Sequence, residues 1–337
     1  MNSGAEKLIS VRQLKKYFRV KSRFLQPEKR WLRAVDGVSF DIHRGETFGL
    51  VGESGCGKST LGRTIVRLYE PTGGEIYFDG TDITRLSRKE LRPQTRESYR
   101  RRIQVIFQDP YSALNPNMNL AELIDEPMAI HTNLSKPERM EKIEVLLAKI
   151  GMKREDMEKF PWEFSGGQRQ RIGIARALSV EPEFILCDEP IAALDVSIQA
   201  QVVNLLEDFQ EEFKLTYLFI AHDLSMVRHI SDRIAVMYLG RIVEIAESDE
   251  LYRNPLHPYT QALLAAIPIP DPRKARIGSG RLIGIEPPNP LDLPGGCRFH
   301  NRCPEATGLC RDQEPELEEV ADGHFLACHL VHGPHCG

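Results

Sequence analysis

No stretch of this 337-residue chain approaches the roughly 20 consecutive apolar residues that a bilayer-spanning helix needs. The N-terminal residues 1–7 contain no apolar core of signal-peptide length, so no export is expected and any membrane role must come through a partner. Charge of one sign is also missing. A formal net charge of −4 and a pI near 6.2 give no global attraction to nucleic acid or anionic lipid. The one basic run, residues 88–102 with Arg100, Arg101 and Arg102, is broken by Glu90 and Glu97, and aromatics are only 7% of the chain. It reads as a solvated helix face before a buried strand, with no nucleic acid as partner. Cysteine is nearly absent before residue 255, where Cys56 and Cys187 stand alone inside apolar or glycine-rich motifs and look structural.

What is present begins at residues 52–59, Gly-Glu-Ser-Gly-Cys-Gly-Lys-Ser, directly after the apolar run Thr47-Phe48-Gly49-Leu50-Val51. This is a complete G-x-x-x-x-G-K-S/T loop fed by a strand. The glycines Gly52, Gly55 and Gly57 let the backbone curl so that the N–H groups from Ser54 and Cys56 through Thr60 point at the phosphates of ATP or GTP. Residues 60–66 are patterned to begin a helix whose N-terminus adds its dipole. Lys58 would reach the β- and γ-phosphates, and Ser59 would ligate Mg²⁺. The bland reading, a glycine-rich turn with a surface lysine, does not explain the strand in front of it.

Four apolar residues end in two carboxylates at Phe184-Ile185-Leu186-Cys187-Asp188-Glu189, the pattern of a buried parallel strand delivering acids to its C-terminal edge. Asp188 is the candidate Mg²⁺ holder, directly or one ligand removed. Glu189 is the candidate base that orients the attacking water, the positioning role that phosphoryl transfer requires. Between the loop and this strand, Ser165-Gly166-Gly167-Gln168-Arg169-Gln170-Arg171 places a serine and two glycines at a helix start, a second anion-binding surface.

These segments resemble, in order, the motifs of ATP-binding-cassette ATPases. The implied fold is α/β, a P-loop NTPase with an inserted helical subdomain and a proline- and cysteine-rich C-terminal extension. In that family Ser165, Gly166, Gly167 and Gln168 would cap the γ-phosphate of ATP held by the loop of the opposite subunit. The resemblance assigns Phe18 to stacking on adenine, with Tyr17 as the fallback one residue earlier. It assigns Gln108 to Mg²⁺ and water, Asp195 to the loop crossing the dimer interface, and His222 to the γ-phosphate as a switch. Taken singly, Gln108, His222 and Phe18 could be a loop amide, a strand-end histidine and a core aromatic. The chain departs from the family at Ala192, where serine is usual and could bond across the interface.

The organisation agrees. Residues 1–254 read as the cassette, with a helical subdomain at about 116–169 signalled by Leu120, Leu123 and Ile124, then Ile143, Leu146, Leu147 and Ile150 at helical spacing. Only one phosphate loop occurs, so each chain would supply half of each composite site and a dimer is implied. From Pro255 onward the composition changes: residues 255–337 hold 12 of the 22 prolines and Cys297, Cys303, Cys310, Cys328 and Cys336. That marks an appendage separate from the nucleotide module and without a part in hydrolysis.

Clustered thiols in a chain with no export signal point to a metal rather than to disulfides. The spacing C-x5-C-x6-C-x17-C is too open for an ordinary zinc ribbon. It resembles the tail of oligopeptide and dipeptide importer ATPases, where four cysteines are associated with a 4Fe–4S cluster. The ligands carried over are Cys297, Cys303, Cys310 and Cys328, with Cys336 spare. Zn²⁺ is the alternative, with His300, His324, His329, His332 and His335 nearby. Residues 109–116, 195–202 and 255–260 carry the same resemblance. It implies an ATP-hydrolysing subunit, peripheral on the cytoplasmic face of the inner membrane, coupling ATP to uptake of di- or oligopeptides. Its partners would be a second, non-identical ATPase, two permease subunits and an extracytoplasmic solute-binding protein. Nickel, glutathione or another small solute is the alternative cargo. A soluble cassette ATPase is the remote one, because the interval from Gln108 to Ser165 has room for only a compact helical subdomain.

Overall fold

The computed structural model describes residues 6–20, 30–86, 99–192, 194–222, 224–266 and 288–330. Most of the basic run (88–98), Ala193, His332, His335 and Cys336 lie outside the described residues. The chain forms two compact units: Met1–Leu8, Ile42–Glu46 and Arg85–Ile220, and Ile9–Asp41, Thr47–Thr84 and Ala221–Gly337.

The first unit is built on parallel strands Ile103–Ile106, Phe184–Asp188 and Thr216–Ile220, in register Val105↔Leu186↔Leu218. Every residue of the latter two is buried, as unbroken apolar runs require of strands covered on both faces. Between the first two of these strands the chain forms helices Leu120–His131 and Lys136–Lys149, two short 3₁₀ turns, and helix Gly166–Leu178. Asn119 and Glu122 start the first with a reciprocal capping box, both bonds 2.9 Å. Leu120, Leu123, Ile124, Ile143, Leu146, Leu147 and Ile150 are all buried, on the face their spacing indicated. Arg139 joins the first two helices through Asp125, and Arg176 joins Gly166–Leu178 to the first through Glu126 at 3.1 Å.

In the second unit the strand Thr47–Val51 pairs in parallel with Arg233–Tyr238, Leu50 opposite Ala235. Arg233–Tyr238 turns back antiparallel into Arg241–Glu247. The tail then continues this sheet: His324–Leu326 pairs with Arg241–Glu247, and Glu318–Ala321 pairs with His324–Leu326. A second sheet of the unit carries strands Arg30–His43, Lys7–Val20, Gly73–Phe78 and Thr81–Asp82 in that order.

The tail is fastened here by one buried carboxylate. Glu244, fully buried in mid-strand, accepts from the backbone N–H groups of Leu256 (2.8 Å) and His257 (3.1 Å) and lies 2.8 Å from His324 Nε2. A carboxylate this deep is tolerable only when its acceptor sites are filled, and residues beyond 254 fill them. His257 is held neutral, its imidazole pushed down to about 4 by burial, and its Nδ1 accepts from Tyr259 N–H at 3.0 Å to cap helix Pro258–Ala265. The tail therefore is not a module apart from the phosphate loop: residues 47–84 and 221–337 share one compact unit. The segment's proline content does not prevent two short strands from joining the sheet.

Candidate nucleotide site and thiol cluster

In the second unit the loop 52–57 leads into helix Lys58–Ile65, which starts two residues earlier than the sequence pattern indicated. Two glycines are fixed by close backbone approach. A Cβ on Gly52 (φ +152°) would lie 2.2 Å from the Met237 carbonyl oxygen, and one on Gly57 (φ +113°) 2.1 Å from that of Ala34. Gly240 N–H bonds to the Cys56 carbonyl at 2.8 Å. Lys58 is buried, its ammonium donating to the carbonyls of Gly52 (2.7 Å) and Glu53 (3.2 Å). Ser54 and Gly55 are exposed, and Ser59 and Thr60 half-buried. Cys56 is buried, which pushes its thiol up and leaves it inert.

Phe18 is half-buried, edge-on to Tyr69 with ring centroids 5.7 Å apart, and Lys16 Nζ lies 4.8 Å from its centroid. The hydroxyl of neighbouring Tyr17 donates to Asp36, and burial with that bond pushes its pKa up to about 12. Tyr17 is thus tied into the structure, whereas the Phe18 ring carries no polar obligation. His222 is exposed, following Ala221, whose N–H bonds to the Leu50 carbonyl at 3.3 Å.

In the first unit Asp188 ends its strand fully buried. Glu189 follows with φ +51°, a left-handed conformation costing a non-glycine residue about 1 kcal/mol or more, and its N–H is held by the Ile220 carbonyl at 3.0 Å. Its carboxylate accepts from Gln108 Nε2 at 2.8 Å, so two residues 81 positions apart meet side chain to side chain.

Ser165 and Gln168 form a capping box that starts helix Gly166–Leu178. Ser165 N–H donates to Gln168 Oε1 at 2.9 Å, and Gln168 N–H donates to Ser165 Oγ at 3.3 Å. Gly166 is exposed, leaving the helix N-terminus open. Gly167 has a packing role: a Cβ there would sit 2.5 Å from Ile198 Cγ2. Asp195 caps helix Val196–Phe213, accepting from Ile198 N–H (3.0 Å) and Ser197 Oγ (2.8 Å). Ala192 N–H closes a turn onto the Glu189 carbonyl at 3.3 Å.

The thiols lie in the second unit. Cys310 is buried and Cys297, Cys303 and Cys328 half-buried, with Cys297 N–H bonded to the Cys310 carbonyl at 2.8 Å. Burial pushes the Cys297 thiol up to about 11, with added repulsion from Cys310, Cys328 and Cys303, so those three sulfurs are within electrostatic reach of it. His324 and His329 direct Nε2 elsewhere, to Glu244 and to the Gln313 carbonyl (3.0 Å). Among the described residues no group of three or more His, Cys, Asp or Glu is placed to hold a metal ion.

Sequence reasoning missed the contacts by which the tail meets the phosphate loop and the strands beside it. Arg302, 8% exposed, grips Glu53 with both terminal nitrogens, each 2.9 Å from a carboxylate oxygen. The Glu53 N–H donates to the Tyr259 hydroxyl at 2.9 Å. Arg298, also buried, donates to Asp36 and to the Leu239 carbonyl. Burial pushes the Asp36 carboxyl up, but bonds from Tyr17 and Arg298 outweigh it and hold it below the usual range. Phe299 packs between them against Tyr238 and Tyr259, ring centroids 5.3 and 5.4 Å away. The signal was legible in Cys297-Arg298-Phe299-His300-Asn301-Arg302-Cys303, where two arginines flank an aromatic between cysteines.

Residues 35–192 match the ABC transporter family model, and residues 243–310 match that of the oligopeptide/dipeptide transporter C-terminal region. The chain is 54% identical to the oligopeptide transport ATP-binding protein AppF of Bacillus subtilis, over 97% of this chain and 98% of that one. It is 55% identical to the putative oligopeptide transport ATP-binding protein YkfD of the same organism, over 96% and 95%. Among solved structures it is similar to the dimeric post-hydrolysis state of the ATP-binding cassette MJ0796 bound to ADP and Pi. That likeness has a TM-score of 0.61 at 27% identity and covers 71% of this chain and 98% of that one. The cbiO1 subunit from Clostridium perfringens aligns with TM-score 0.61 at 26% identity, over 74% and 92%. The chain belongs to the ATP-binding-cassette transporter family, as an ATPase of its oligopeptide/dipeptide branch.

Proposed function

We propose that this chain is the ATP-hydrolysing subunit of an importer of di- or oligopeptides, acting at the cytoplasmic face of the membrane. The observation that carries the reading is the near full-length match to oligopeptide transport ATP-binding proteins, across the cassette and the tail alike. Lys58 and the amides of residues 54–60 hold the phosphates, Ser59 and Asp188 hold Mg²⁺, and Phe18 stacks on adenine. Glu189, oriented by Gln108, aligns the attacking water. The open start of Gly166–Leu178 and the Asp195 turn serve the nucleotide of a second, non-identical ATPase subunit, and His222 contacts the γ-phosphate. Closure of the pair is a population shift, because each ATP is held from both sides only in the closed state. Exposed Phe107 and Tyr111, flanking Gln108, offer the surface a permease helix would grip.

The test is reconstitution in vesicles with two permease subunits and a solute-binding protein. Peptide uptake should require ATP and this chain. The isolated chain should hydrolyse ATP slowly, with a rate per chain that rises with concentration. Uptake of nickel or glutathione without peptide would overturn the cargo, and a full rate in dilute monomer would overturn the shared site.

The four thiols fit an iron–sulfur centre better than zinc. The other three thiols lie within electrostatic reach of the half-buried Cys297, two of the histidines that a mixed zinc site would need are engaged elsewhere, and four cysteine sulfurs are the ligand set such a cluster takes. Cys297, Cys303, Cys310 and Cys328 would hold the cluster, whose chemistry there is ligation that orders the turn. Protein purified anaerobically should be brown, with broad absorption near roughly 400 nm that Cys303→Ser removes. Colourless protein with one zinc per chain would reverse the assignment.

A further inference from the structure

We propose that Arg302, in the cysteine-rich turn, is a positioning residue of the nucleotide site: through Glu53 it sets the shape and charge of the phosphate loop. The inference rests on the reading of that loop as the ATP site. Glu53 is the first residue after Gly52, and three of its groups are engaged. Its carboxylate takes both terminal nitrogens of Arg302 at 2.9 Å, its N–H goes to the Tyr259 hydroxyl at 2.9 Å, and its carbonyl accepts from Lys58 Nζ at 3.2 Å. Two of these partners belong to the tail, and the third is the lysine that must reach the phosphates. A continuous chain of polar contacts therefore runs from the turn between Cys297 and Cys303 to Lys58.

The geometry has two consequences. Because Glu53 N–H points to Tyr259, it is withdrawn from the phosphate-facing amides, so the donor set begins at Ser54. Because the Glu53 carboxylate lies in the loop itself, it would repel a polyanionic nucleotide unless neutralised. The Arg302 fork supplies that neutralisation and fixes the carboxylate in one orientation. The hydrogen bond from Arg302 in turn raises the guanidinium pKa further, so the charge persists at every accessible pH. Phe299 and Tyr238 lie under the guanidinium, 5.7 and 5.8 Å from it, so the arginine is itself held from below. The tail thus completes the loop that binds ATP, and whatever orders the thiols on either side of Arg302 bears on nucleotide affinity.

The experiment titrates a fluorescent ATP analogue against the full chain and four variants, with thermal melting recorded alongside. Arg302→Ala should raise Kd about tenfold, through loss of loop positioning and exposure of the Glu53 charge. Arg302→Lys, which keeps the charge but not the fork, should fall between. The double variant Arg302→Ala with Glu53→Gln should bind more tightly than Arg302→Ala alone, a recovery that a role confined to docking the tail would not produce. Lys58→Ala separates the two readings: if it weakens binding while Arg302→Ala and Arg302→Lys leave Kd at the wild-type value and only lower the melting temperature, the positioning role is overturned and the ATP site stands. If Lys58→Ala has no effect, the ATP-site reading itself has failed. Should Arg302→Ala not fold, Arg302→Lys decides, a raised Kd supporting the role and an unchanged one overturning it.

Discussion

Glu189→Gln is expected to lower the rate of ATP hydrolysis by about 10²–10³-fold while ATP binding is retained. The structure makes this substitution clean. Gln108 Nε2 donates to a Glu189 carboxylate oxygen at 2.8 Å, and a glutamine carbonyl can accept the same bond. The left-handed backbone at 189 (φ +51°) is anchored by its N–H to the Ile220 carbonyl, which the side-chain change does not touch. Shape, orientation and the Gln108 contact survive, and what is lost is the negative charge that orients and polarises water. Single-turnover hydrolysis and equilibrium binding, measured on the same preparation assembled with its partners, would separate the two steps. A wild-type rate in Glu189→Gln would remove that residue from the catalytic role.

What could be read from the sequence was what is local in it. The phosphate loop, its strand and the acid-ended strand are contiguous segments, and their burial follows directly from unbroken apolar runs. The helices of the subdomain declared themselves through Leu and Ile spacing. Contacts across long sequence separations were not legible. The identities of Gln108 and Glu189 came from family resemblance, whereas the bond between them depends on the pairing of Ile103–Ile106 with Phe184–Asp188. Ser165 and Gly167 were read as part of a helix start that binds an anion and, with Asp195, for their parts at a dimer interface. The structure adds a reason internal to the chain, since two of them are helix caps and the third permits close packing against Ile198. The tail was misjudged as separate for a physical reason. A strand as short as His324–Leu326 carries no periodicity, and the buried Glu244 that receives His324 is 80 residues away. Proline and cysteine counts register composition, and docking onto an existing sheet leaves no mark in composition.

Lys58→Ala is expected to raise the Kd for ATP by roughly 30-fold to several thousand-fold, since truncating one member of a desolvated, hydrogen-bonded charge pair costs about 2–5 kcal/mol. Lys58 is only 4% exposed, so its charge has already left water and is compensated by the Gly52 and Glu53 carbonyls at 2.7 and 3.2 Å. Moving the ammonium from neutral carbonyls onto the β- and γ-phosphates exchanges dipole contacts for full opposite charges in the same buried place, and the gain is correspondingly large. Alanine forfeits it at the binding step, before hydrolysis is reached. The two lesions should therefore differ in assembly as well as in rate. With ATP present, Glu189→Gln should accumulate the closed pair of ATPase subunits, whereas Lys58→Ala should leave them apart at the same nucleotide concentration. Light scattering with and without ATP reads this directly. ATP-dependent pairing of Lys58→Ala at wild-type nucleotide concentrations would show that the phosphate contact is made by other groups.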